Sequence, residues 1–133
     1  MFYFVKSNTK PEVPVIKTLP TTASTKYKIG DAVVLSTGGL ILATGTTKPE
    51  YIAAADYSAP ATGMEPLPAY LIAPGMEWET TFAADASAVT EGTKVTIHTD
   101  GAQVTATSTN GVAQILKKHG TGAAGTKATV MFV

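Results

Sequence analysis

The sequence has no cysteine and no arginine, and charged residues make up only 15% of its 133 positions. Without cysteine there are no disulfides, no zinc–thiolate sites and no thiol nucleophile. Without arginine there is no guanidinium fork for bidentate grips on phosphate, carboxylate or guanine edges. The ten basic residues are all lysines, spread along the chain, and ten acids balance them to a formal net charge of zero. Nucleic-acid binders show the opposite, a clustered basic excess. No apolar run approaches the ~18 residues that span a membrane. At the start, the lysines follow the apolar tip MFYFV, the reverse of a secretory signal. No partner of nucleic-acid or membrane type is therefore expected.

What is present points to strands. Thr and Ala together supply roughly a third of the chain, far above ordinary usage. Short β-rich runs recur every 8–12 residues between turn signals. Tyr27–Leu35 and Leu40–Thr44 flank a Gly38-Gly39 turn. Met76–Phe82 (MEWETTF) alternates apolar and acidic residues, the mark of a half-buried strand. Asp100-Gly101 between Lys94–Thr99 and Ala102–Thr107 reads as a hairpin, and Asn110-Gly111 leads into Val112–Lys118. Thr126–Val133 is a final strand. No long helix is legible. The pattern indicates an all-β protein, a small β-barrel or β-sandwich. Residues 26–133 form its body, and 1–25 an extended N-terminal arm. Pro11, Pro14 and Pro20 exclude a central strand there. The apolar tip Phe2, Tyr3, Phe4 and Val5 either docks on a neighbouring subunit or forms a first strand of the sheet.

Candidate chemistry is sparse. His98 and Asp100, two residues apart on one strand face, suggest a dyad or half a metal site. They suit equally a polar pair beside a turn aspartate. Glu77 and Glu79 leave one strand face about 7 Å apart. That spacing is compatible with glycosidase carboxylates but equally with a solvated face opposite a buried Trp78. Gly38-Gly39 and Gly120–Gly125 do not match GxxxxGK[ST] and read as turns. No catalytic set, metal ligand or cofactor site emerges, and the chain reads as non-enzymatic. Trp78 is expected in the core or at a subunit contact. The candidate interface is thus Phe2, Tyr3, Phe4, Val5 and Trp78. Low charge and zero net charge favour association.

Three stretches carry a family resemblance: KYKIGDAVVLSTGGLILATGTTKPEYIAAA, PAYLIAPGMEWETTF, and EGTKVTIHTDGAQVTATSTNGVAQILKK before the terminal strand. Together they cover most of residues 26–133, whereas 1–25 match no fixed pattern. The sequence resembles the decoration, or cement, proteins of tailed-bacteriophage capsids, of the lambda head-decoration-like small β-barrel type. The resemblance implies a tulip-like barrel or sandwich made in the host cytoplasm. It implies a structural protein on the outer surface of the virion, binding the major capsid protein, often as a homotrimer, and cementing neighbouring subunits. A rival reading is a carbohydrate- or cell-surface-binding β-sandwich of a phage fibre or secreted protein. Its aromatic face would have to come from Tyr70, Trp78 and Phe82.

Overall fold

A computed structural model describes residues 1–9 and 13–133. Among them are twelve strands and no helix, so no helix is long and apolar enough to cross a membrane. The strands are β1 (Tyr3–Ser7), β2 (Ile16–Leu19), β3 (Lys26–Tyr27), β4 (Ala32–Ser36), β5 (Gly39–Leu42) and β6 (Tyr51–Ala53). They continue with β7 (Tyr57–Ser58), β8 (Leu67–Leu71), β9 (Met76–Thr81), β10 (Lys94–Val95), β11 (Ala113–Lys118) and β12 (Lys127–Phe132). One five-stranded sheet runs β1-β9-β12-β11-β10. A second runs β2-β8-β6-β4-β5, and β3 pairs with β7 alone. All the pairings are antiparallel. The architecture is a small β-sandwich, not a closed barrel.

Two kinds of strand sequence explain the layers. β9 alternates strictly, with Met76, Trp78 and Thr80 buried and Glu77, Glu79 and Thr81 outward, because one face of its sheet meets the core and the other meets water. β4 is apolar at Ala32, Val33 and Val34 in succession because its sheet is covered on both faces there, whereas Leu35 at its end is exposed. Ala32 and Ile52 join Trp78, Phe82, Ile97 and Ile115 in the main core between the sheets. Val33, Leu40, Ala53 and Leu67 point the other way, into a second cluster with Tyr27 and Ala59 beneath β3 and β7. Tyr27 Oη seals that layer, donating to the Leu40 carbonyl at 2.6 Å.

The turns behave as their residues require. Gly38 takes φ +91° in the β4–β5 hairpin, and Asn110 takes φ +54° ahead of β11. The Asp100-Gly101 turn also forms, but of its flanks only Lys94–Val95 becomes a regular strand, β10. Three backbone bonds cross between them, from His98 N–H to the Gln103 carbonyl, Thr96 N–H to the Thr107 carbonyl and Thr105 N–H to the Thr96 carbonyl, beside an isolated Ile97–Val104 bridge. Other groups at the turn serve the turn itself or tie it to the rest of the sandwich. Asp100 Oδ1 accepts from Ala102 N–H at 2.8 Å, the Gly101 carbonyl accepts from Ala32 N–H, and Thr80 Oγ1 donates to the Ala102 carbonyl.

The described residues of 1–25 are largely extended but do not stand off the body. β1 pairs with β9, and β2 pairs with β8. Phe2 is 2% exposed and meets Phe132 edge-on, with ring centroids 5.2 Å apart. The exposed surface is 6589 Å², close to the ~6,600 Å² of a compact chain of this mass. The physical reason is the aromatic tip: leaving it in water costs roughly 25 cal/mol per Å², and the chain's own core can bury it. Pro11 and the rest of 10–12 lie outside the described residues. Pro14 and Pro20 flank β2, an edge strand, where proline is tolerated.

Candidate functional site

The catalytic candidates are occupied with local structure. His98 Nδ1 lies 3.3 Å from Asp100 Oδ1, and both side chains are about two-fifths exposed. The same Oδ1 accepts from two backbone N–H groups, Ala102 and Gln103, so Asp100 serves the turn. Among the described residues no group of three or more His, Asp or Glu is arranged to hold a metal ion. Glu77 and Glu79 do share the outer face of β9. Each carboxylate faces a lysine of a neighbouring strand: Lys6 Nζ at 3.7 Å from Glu77, Lys127 Nζ at 3.6 Å from Glu79. Gly122, in the glycine-rich stretch, packs beneath the 85–89 turn, its carbonyl accepting from Ala86 N–H at 2.6 Å. A Cβ there would strike the Ala86 backbone.

The five interface candidates divide. Phe2 and Trp78 are core, with Trp78 1% exposed, and Phe4 packs against that core. Tyr3 (56%) and Val5 (46%) stay exposed. The structure adds exposed residues outside those five: Val13 at 67%, Val15, Ile16 at 59% and Ile29. Of the exposed large apolar side chains, those outside this set and Met1 are Leu35, Ile41 and Met64.

The exposed apolar side chains gather where the sandwich is open. At one side the two sheets are tied by the Gly45–Ile97 bridge, with N–H···O distances of 2.8 and 3.0 Å. At the other, edge strands β1 and β2 are left unpaired with each other, and Phe2 N–H reaches the Gly30 carbonyl at one end. A cleft of about 310 Å³ opens beside β1, with Tyr3, Phe4, Pro14 just before β2, Ile29, Tyr70 and Trp78 in its walls. Both edges are blunted against strand addition. β1 carries a register shift between Phe4 and Lys6, β2 is flanked by prolines, and each bears an edge lysine, Lys6 and Lys17. The seam therefore offers side chains, not backbone hydrogen bonds. Its sequence signal was Val13-Pro14-Val15-Ile16, apolar residues in a segment whose prolines hide their period.

No protein-family model matches the chain, and a search of curated proteins finds no similar one.

Proposed function

We propose that this protein is a non-enzymatic docking protein that attaches to a larger protein lattice through the β1–β2 seam. The lattice that the sequence resemblance implies is the outer surface of a tailed-phage head, with the major capsid protein as partner and a homo-oligomer as the bound form. The observation that carries the docking reading is the concentration of exposed apolar side chains at one open edge. Soluble monomers disperse such residues, and contiguous ones mark interaction sites. Low charge fits the same reading.

A saccharide-binding face is less well supported. Of its three aromatics, Trp78 and Phe82 are buried in the core and Tyr70 is partly covered.

The test is to mix the purified full chain with expanded empty capsids and image them. Decoration of the outer surface is the expected result. The exposed-site variant Val13→Ser/Ile16→Ser should melt with the parent, since surface changes of this kind stay within about 0.5 kcal/mol. It should bind capsids at least tenfold more weakly, about 1.4 kcal/mol. Bare capsids at saturating protein would overturn the capsid assignment. Undiminished binding by the double variant would overturn the seam.

A further inference from the structure

The zero net charge conceals a division. Residues 1–30 contain five lysines and one acid, a net +4, whereas residues 31–133 contain five lysines and nine acids, a net −4. The basic part is the one that builds the seam. Lys6 lies on β1, Lys17 on β2, and Lys28 beside cleft residue Ile29, all exposed. The acids close by are largely engaged. Glu77 is 14% exposed at its side chain and is held by Lys6 and by Asn8 Nδ2. Asp31 is buried, and Asp56 accepts the Ile29 N–H at 2.7 Å.

We infer that the seam selects an acidic protein surface: an apolar ridge flanked by carboxylates, seated in the cleft with one acid against Lys28, next to the cleft residue Ile29, and another reaching Lys17 on the β2 edge outside it. This deepens the docking reading above and rests on it. Charge complementarity of this kind sets orientation and encounter rate. The occupant is a protein ridge because the site is a concavity beside the edge strand β1. A lipid surface would instead call for a protruding apolar face that sinks into it. A nucleic-acid backbone would call for a longer basic track than three lysines.

The test uses the labelled full chain and two synthetic peptides of equal length, one alternating Leu with Glu and the other Leu with Lys. The Leu/Glu peptide should shift the amide resonances of Tyr3, Val15, Ile16 and Ile29, with the Leu/Lys peptide at least tenfold weaker. Lys17→Glu/Lys28→Glu, both exposed sites, should keep the parent melting temperature and lose that preference. The same variant should coat expanded capsids at least tenfold more weakly than the parent. Equal binding of both peptides, or shifts lying elsewhere, would overturn the inference. So would tighter binding to vesicles containing anionic lipid than to the Leu/Glu peptide, or concentration-dependent self-association that occupies the seam. If capsids are coated equally by parent and variant, the charge inference fails and the cement reading stands. If neither coats capsids while the Leu/Glu peptide still binds the seam, the reverse holds.

Discussion

Phe4 meets Trp78 edge-on, with ring centroids 5.6 Å apart and an interplanar angle of 72°. The two residues are direct partners across the β1–β9 ladder. One strand comes from the extreme N-terminus and the other from the middle of the chain, so this contact fastens the first residues to the core. Edge-to-face aromatic pairs contribute about 0.5–1.5 kcal/mol beyond their buried area.

Trp78 is the sole tryptophan, and its Nε1 is buried without an acceptor among the described residues. Trp78→Ala should cost about 3–5 kcal/mol in a denaturant titration, the range for emptying a large core site. Trp78→Phe should cost much less, because it keeps an aromatic ring and removes an unsatisfied donor whose burial itself costs ~1–3 kcal/mol. Native fluorescence should be blue-shifted and move red on unfolding. Equal losses for the two variants would mean that the indole N–H has an acceptor.

Deleting residues 1–7 removes Phe2 from the core and β1 from its ladder. The truncated chain should lose at least the ~3–5 kcal/mol of one buried phenylalanine. For a domain of this size that lowers the melting temperature by roughly 10 °C or more. A truncation that melts with the parent would show that β1 adds nothing to the fold.

The parts of the fold legible in the sequence were those governed by local rules. MEWETT alternates because its sheet has one wet face, and Gly38 and Asn110 mark turns through positive φ. Tertiary competition decided the rest. The Asp100-Gly101 flanks exchange backbone hydrogen bonds, as from His98 N–H to the Gln103 carbonyl, but pair irregularly, and the Gly101 carbonyl of the turn is taken by Ala32 N–H. The 1–25 segment joined both sheets because Phe2 found Phe132, 130 positions away, a pairing no short-range pattern encodes. Of the candidate site, Tyr3 and Val5 were legible as exposed apolar residues. Ile16 and Ile29 were not, because their exposure is decided only once the edge strands and the 29–30 turn are placed.

Asp31 titrates against the fold. Burial pushes its carboxyl above the ordinary range, opposed by the hydrogen bond from Lys28 N–H at 2.8 Å. A raised folded pKa contributes stability that is fully present below the unfolded value of about 3.9. That stability is lost as pH rises through the folded value. Asp31→Asn keeps an acceptor for Lys28 and removes the buried charge. At pH 7 it should melt at or above the parent, and the difference should vanish as pH falls below about 4, close to the unfolded value. A variant less stable at pH 7 would mean that the charged carboxylate stabilises the fold.

Gly39 opens β5 where the chain after β2 crosses it. The Leu40 N–H donates to the Pro20 carbonyl at 2.9 Å, and a parallel bridge joins Thr21 to Leu40. A Cβ on Gly39 would lie 2.5 Å from the Thr21 carbonyl carbon and 2.8 Å from the Thr22 nitrogen, both backbone atoms with no rotamer to escape into. Gly39→Ala should therefore cost about 1–3 kcal/mol, as overpacking does. Leu35→Ala, at an exposed partner position in the same hairpin, should cost well under 1 kcal/mol. Urea midpoints of the two variants decide it. Equal midpoints would mean that the 20–22 crossing yields to the added methyl, and that this contact does not hold β2 and β5 together.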